Sequence, residues 1–494
     1  MILTLDFGTS VTKAALWGDD GLVALEGVPV QTSHAAPERA EQDPGVWWSA
    51  LVQACAALRS AEPRAFAAID VIGCTGARQT MVLADAGGRT LGPAIVWSDR
   101  RAGAEAAQLR RRLDTSGPTL PHSGIEVDAA SVAAKLAWLA THDRDHLDAA
   151  SWMLTPRDYL LWTLTGVVAT DPTMAWRSGL YDLVGRPVPE LVGGYGRLLA
   201  PLVASDHVVG GLTSGPSRSL GMRPGTPVVI GCGDRAAEVL GTGATVASPM
   251  VSWGTTANVS VPLGTGADAD TTAPGVPAGV VLSRGAAGGW LLEGGVSAAG
   301  SLLAWLGTVT GQTEGALAEM AATSPPGARG VVAVPWLEGA RAPWWREDAA
   351  AAFVGLGPTH TVADLARAAF ESVAWDVLRC LDVMAASPDP EATVTGLMST
   401  GGGSGVPVWL EVLSAITGRL VVRRSGQAAS AGAALLAARA VGRELALADL
   451  DNVTARAVPD AVATSTYRTL RERVDSVAGT LVGLGASSAG SPCT

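Results

Sequence analysis

The segment Asp6-Phe7-Gly8-Thr9-Ser10, with Lys13 just beyond it, sets an acid at the end of an apolar run beside a glycine turn and two hydroxyls. Backbone N–H groups in such a turn point at anions, and the acid can hold Mg2+ through its waters. Lys13, one strand further on, has the reach to meet a transferring phosphoryl group. An ordinary hairpin with a surface lysine would carry the same residues. Gly254-Thr255-Thr256 offers a second anion turn, and Gly401-Gly402-Gly403 a third at the start of a helix. Glycine turns are common in a chain with 60 Gly. Three such cradles and one acid, spread over both halves, fit a nucleotide bound between two domains.

The acceptor side has its own candidates. Gly233-Asp234-Arg235 follows the apolar run Val228 to Cys232 and puts an acid at the mouth of a helix. The helix N-terminus favours the ionised carboxylate, which leaves it able to take a hydroxyl proton; a plain helix cap has the same sequence. Arg78 and Gln79 follow a strand over Ile69 to Cys74, and Asp99-Arg100-Arg101 follows one over Ala94 to Trp97. Fork-shaped polar side chains at strand ends suit bidentate hydrogen bonds to a polyhydroxylated substrate. A surface ion-pair cluster uses the same residues. His142 and His146 have metal-chelating spacing, but the charges between them favour a solvated helix end. None of the six His has the setting of a catalytic base.

The elements that must position these groups follow from pattern. Ile2 to Leu5, Thr12 to Trp17 and Leu22 to Val30, with Asp19-Asp20-Gly21 as a turn, read as a β-meander. Met250 to Trp253, the Gly254 turn and Ala257 to Val261 repeat the first hairpin in the second half, which points to a duplicated domain. Leu365, Ala369, Val373, Val377 and Leu381 recur at i+4 in a helix capped by Thr361 and Asp364. The uncharged stretch from Gly294 to Thr313 is too dilute for a membrane span and reads as a buried helix. Strands alternating with helices give an α/β class.

Composition removes other functions. The 494 residues, 48% of them hydrophobic, allow two large domains with sizeable cores. A net charge of −11 argues against a nucleic-acid binder, which needs a basic face. The five Cys form no C-x-x-C, so disulfide scaffolds and zinc ribbons are not expected. The start lacks a basic n-region, so a cytoplasmic protein is expected. Lys13 and Lys135 are the only lysines, and neither stands in a Walker A loop. The 16 Trp, against four Tyr and four Phe, are assigned to packing.

Joined in order, these pieces resemble the FGGY family of carbohydrate kinases over nearly the whole chain. Ala351-Ala352-Phe353-Val354-Gly355-Leu356 followed by Asp364 to Glu371 is similar to the family's second signature, and Lys135-Leu136-Ala137-Trp138-Leu139 to part of the first, with Ala130 and Val132 departing from it. The resemblance implies an actin-like fold: two ribonuclease-H-like domains, here 1–244 and 245–494, with ATP in the cleft. It implies Asp6 as the metal-associated acid for Mg2+, and Gly8, Thr9, Ser10 and Lys13 as the first phosphate loop. Gly254, Thr255 and Thr256 would form the second, and Gly402 and Gly403 the adenosine-side loop. Asp234 would be the general base, with Arg78, Gln79 and Arg235 beside it as substrate-binding residues. The expected partners are ATP and a small sugar or polyol, with no nucleic acid or membrane; a homodimer is allowed.

The substrate signs are mixed. Glu41-Gln42-Asp43-Pro44 with Trp47-Trp48, and Gly339-Ala340-Arg341-Ala342-Pro343, are similar to xylulokinases. Gly76-Ala77-Arg78-Gln79-Thr80 and Ile95 to Arg101 are closer to glycerol kinases, which have Arg-Glu at the Arg78-Gln79 position and a Tyr where Ala130 falls. That smaller residue leaves a larger hole, suited to a longer substrate. A ketopentose such as D-xylulose is the favoured expectation, with glycerol, another polyol or a sugar acid as alternatives. Actin-like folds also serve as nucleotide switches; Asp234 and the Arg78/Gln79 loop argue for an enzyme instead.

Overall fold

The structure, a computed structural model, describes residues 1–115, 127–182, 184–264, 276–385, 393–424, 426–450 and 453–488. The apolar run ending at Asp6 forms the strand Ile2–Phe7, which pairs antiparallel with Val11–Gly18; Gly21–Pro29 follows antiparallel. On the other side lie Val71–Gly76 and Pro227–Gly233, both parallel, with Val208–Gly211 antiparallel at the edge. The central strand Val71–Gly76 is buried throughout, as expected of a parallel strand covered on both faces.

The second sheet repeats this plan. Met250–Trp253 pairs antiparallel with Ala257–Leu263, which pairs antiparallel with Trp290–Val296. Gly396–Thr400 and Leu420–Arg424 add in parallel, and Val453–Ala457 closes that edge antiparallel. Val281–Arg284 extends the opposite edge. The repeated order and direction match the duplication read from the two Gly-Thr hairpins. Helix Val362–Ala385 lies against this sheet, and Thr361 N–H donates to Asp364 Oδ2 at 2.9 Å in the expected cap.

The halves meet through a pair of helices, Asp234–Thr242 and Ala428–Ala440. A Cβ on Gly241 would lie 1.8 Å from the Ala428 carbonyl oxygen, and one on Gly432 2.0 Å from that of Ala237. The helices therefore cross backbone to backbone, which only glycine at both positions permits. Ala428–Ala440 also covers the first sheet: Ala431, Ala434 and Ala437 pack on Ile2, Trp17 and Val71. The Thr4 and Ser430 hydroxyls lie 2.6 Å apart and the Trp17 indole N–H donates to Ser430 at 2.9 Å. The alanine-rich composition thus sets how closely the two halves approach.

One expectation is corrected. The stretch Gly294 to Thr313 is not a single helix; Gly294 belongs to the end of the strand Trp290–Val296, and the helix is Gly300–Thr310. An apolar run without charges does not distinguish strand from helix, and here Gly294, in the strand, sits against Cys380 and Met384 of the long helix. The helix is not fully buried either: Val309 is 63% exposed. Among the described residues no helix is long and apolar enough to cross a membrane.

Candidate active site

Asp6 stands opposite Lys13 in the antiparallel register and opposite Thr75 in the parallel one. Burial, with the negative charges of Asp234 and Glu238 and against the pull of Lys13, lifts its carboxyl to about 6. Asp6, Lys13, Asp234 and Glu238 therefore share one electrostatic neighbourhood. The Gly8-Thr9-Ser10 turn is tied to its surroundings. Thr9 Oγ1 accepts from the Trp97 indole at 3.0 Å, and the Thr9 carbonyl accepts from Gln42 Nε2 at 2.7 Å. The Ser10 carbonyl accepts from Val30 N–H at 2.8 Å, while the Ser10 side chain is exposed. Gln42, part of the xylulokinase-like segment, thus supports the first turn.

The second turn is pinned to the start of helix Gly300–Thr310. Gly254 N–H donates to the Thr256 carbonyl at 2.9 Å, and Ala299 and Gly300 N–H donate to the Thr255 and Gly254 carbonyls. Gly401 has φ 85° and comes so close that a Cβ would lie 2.3 Å from the Trp253 carbonyl oxygen. A short turn Gly402–Gly405 then precedes helix Pro407–Thr417. Trp253 joins the two turns. Gly254, Thr255, Gly402 and Gly403, with Phe370 and Trp409, line a cavity of about 690 Å³. Gly254, Thr255, Thr256 and Gly401 line a larger cleft of about 1090 Å³.

Arg78, Gln79, Asp234 and Arg235 come together in a smaller cavity of about 190 Å³ that shares Trp97, Arg235, Thr256, Asn258, Arg341 and Trp345 with the cleft. Asp234 opens helix Asp234–Thr242 directly after strand Pro227–Gly233, and its side chain is 43% exposed. Its Oδ1 accepts from the Arg235 N–H at 2.7 Å and lies 3.6 Å from Arg78 Nε. Oδ2 has no protein donor among the described residues. Asp6, Gly8, Thr9, Ser10 and Lys13 are not part of the linings; their turn reaches the cleft through Trp97.

Sequence reasoning missed the groups that complete this cavity: Glu293, Arg177 and, as a site residue, Arg341. Arg78 donates to both Glu293 oxygens at 2.8 Å. Burial pushes the Glu293 carboxyl up, but Arg78, helped by Arg177 and Ser283, holds it well below the usual carboxylate range. Burial works against the Arg78 charge, and Glu293 and Asp234 more than offset it. The available signal for Glu293 was a lone carboxylate in the otherwise apolar Trp290-Leu291-Leu292-Glu293 run, since a buried charge requires a partner. Arg177 had no comparable signal.

Lys135 is not at the cavity surface. It is buried and donates to the carbonyls of Gln79 at 3.0 Å and Val96 at 2.8 Å. Burial lowers its ammonium to about 7, against the pull of Asp99 and Asp128. Gln79 has φ 64°, a conformation that costs a non-glycine residue energy, and Lys135 fixes its carbonyl there. Asp99 and Arg101 form an ion-pair cluster with Glu41, whereas Arg100 lines the cleft. Ala130 is buried and does not line the cavity; Asp128 and Ala129 line the cleft. His142 pairs with Glu105 and His146 with Asp143. Among the described residues no group of three His, Cys, Asp or Glu could hold a metal ion.

Two family models cover most of the chain: the N-terminal domain of the FGGY family of carbohydrate kinases over residues 1–241, and its C-terminal domain over residues 250–441. The xylulose kinase of Escherichia coli K12 is 29% identical over 91% of this chain and 92% of its own. The glycerol kinase of Gloeobacter violaceus is 30% identical over 81% and 80%. The crystal structure of xylulose kinase from Rhodospirillum rubrum superposes with a TM-score of 0.87 at 28% identity, covering 98% of this chain and 99% of that one. The chain belongs to the FGGY family of carbohydrate kinases and is an ATP-dependent sugar phosphotransferase built on an actin-like fold.

Proposed function

We propose that the protein transfers the γ-phosphoryl group of ATP to a hydroxyl of a small carbohydrate bound in the Arg78–Asp234 cavity. The observation that carries this reading is continuity: the cavity holding Asp234 opens, through Arg235, Thr256 and Asn258, onto the cleft lined by the Gly254-Thr255-Thr256 turn. Asp234 takes the hydroxyl proton as the acceptor oxygen attacks, its Oδ2 being the unengaged oxygen. Gly8, Thr9, Ser10 and Lys13 on one side and Gly254, Thr255 and Thr256 on the other cradle the transferred phosphates. Gly402 and Gly403 line the adenosine side. In this reading residues 1–244 carry the base and half of the carbohydrate-cavity lining, and residues 245–494 carry the nucleotide site and the other half of that lining, Glu293 and Arg341 included.

Asp6 would hold Mg2+ through its waters; the donor set fits, because Mg2+ is commonly bound by one or two carboxylates plus substrate phosphates rather than by an all-protein cage. The metal would supply charge neutralisation on the phosphates. This chain's residues supply position: the turns fix the phosphates, and the Arg78–Glu293 pair fixes the wall against which the acceptor lies. A ketopentose remains the neutral substrate to try first, followed by glycerol and other polyols. ATP consumption coupled to each carbohydrate in turn tests the reading: stimulation by at least one supports it, and a basal rate unaffected by every carbohydrate refutes it.

A further inference from the structure

We propose that the carbohydrate substrate bears a carboxylate, held by Arg177 and Arg341; this rests on the kinase reading for the identity of the cavity. Four guanidinium groups line that cavity, those of Arg78, Arg177, Arg235 and Arg341, against the two carboxylates of Asp234 and Glu293. Both Glu293 oxygens are taken by Arg78. Arg235 is paired with Glu238, and Asp234 lies beside Arg78. Arg177 and Arg341 are thus left without a carboxylate at ion-pair distance among the described residues.

What they have instead is neutral. Arg177 Nη2 donates to the amide oxygen of Gln79 at 3.3 Å, and its buried Nε has no acceptor. The Arg341 guanidinium lies against the strand Trp290–Val296 at Gly295, where even a Cβ would sit 3.1 Å from Cζ. Burial, together with neighbouring guanidiniums, pulls both below the ordinary arginine range, Arg177 to about 10, and the more distant charges of Glu293 and Asp128 offset this only in part. Cations at a buried wall without a directly bonded carboxylate are costly, and a bound carboxylate offers both the charge and the paired oxygens that guanidinium forks match. The hydroxyls of a neutral sugar would accept hydrogen bonds without cancelling the charge. The nucleotide is the other source of anionic oxygens: Arg341 lines both the small cavity and the cleft, whereas Arg177 lines the small cavity alone and so separates the two sources.

The test is calorimetric binding to the wild-type chain without nucleotide, comparing aldonates with alditols of the same carbon skeleton: D-gluconate against D-glucitol, and D-xylonate against D-xylitol. Inorganic phosphate is the third arm. At least one aldonate is expected to bind about tenfold or more tightly than its alditol. Arg177→Gln and Arg341→Gln should each erase about tenfold or more of that preference, the loss typical of a charge-assisted hydrogen bond. Aldonates binding no tighter than their alditols would overturn the proposal, as would inorganic phosphate binding tighter than every aldonate. The wild-type comparison stands even if a variant fails to fold. Carbohydrate-dependent ADP formation is read separately: its absence refutes the kinase reading, whereas faster turnover of neutral carbohydrates than of every aldonate refutes the carboxylate.

Discussion

Arg78 and Glu293, 215 residues apart in sequence and contributed by the two halves of the chain, form a two-pronged ion pair in the smaller cavity with both contacts at 2.8 Å. With side chains only 12% and 8% exposed, neither has enough water to keep its charge alone. Glu293→Gln should therefore destabilise the protein by about 3 kcal/mol, because it strands a buried guanidinium. Replacing both partners with Met should recover part of that loss. Thermal unfolding of the single and double variants checks this, and a Glu293→Gln protein as stable as wild type would contradict it.

Lys135 predicts a pH dependence. Its ordinary value is 10.5, and burial lowers it to about 7 in the folded protein. Between those values the unfolded chain holds the proton and the folded chain does not. Folding stability from this group therefore rises with pH across the window, is fully present above 10.5 and is lost as pH falls through about 7. Relative to Lys135→Met, wild type should gain stability between neutral and alkaline pH, by at most about 1.4 kcal/mol per pH unit. Denaturant unfolding of both proteins over that range measures it; a gap that does not move with pH would contradict the assignment.

The crossing of Gly241 and Gly432 predicts sensitivity to a single methyl group. Gly432→Ala forces the helix Ala428–Ala440 away from Ala237 and should cost about 1–3 kcal/mol by overpacking. Because the same helix covers the first sheet, carbohydrate-dependent activity should fall along with the melting temperature. Gly442→Ala, where a Cβ meets nothing within 4 Å but φ is 69°, gives a backbone-strain control without the clash. Equal effects of the two would contradict the crossing argument.

The strands and turns were legible because local pattern carries them. The meander around Asp6, the Gly254 turn and the strand-to-helix step at Asp234 all occur where alternation, glycine and a leading acid indicated. Pairing in the smaller cavity was not legible. Glu293 and Arg177 gain their meaning from Arg78, and nothing near them in sequence identifies that partner. Lys135 was found by signature, yet its task is to hold the Gln79 carbonyl, a relation only the fold reveals. The tryptophans divide along the same line. Trp17 and Trp336 are fully buried away from the site, Trp253 and Trp409 are buried but back onto the cleft or the adjoining cavity, and Trp97 and Trp345 line the cleft and the small cavity.

The most direct measurement is of Asp234→Asn, which keeps the shape and removes the base. With whichever carbohydrate stimulates ATP turnover in wild type, phosphorylated product and ADP are quantified together, and ATP binding is measured in parallel. The account predicts a fall of about 10²–10⁴-fold in the carbohydrate-dependent rate with ATP affinity preserved. A variant that phosphorylates the carbohydrate at close to the wild-type rate would contradict it.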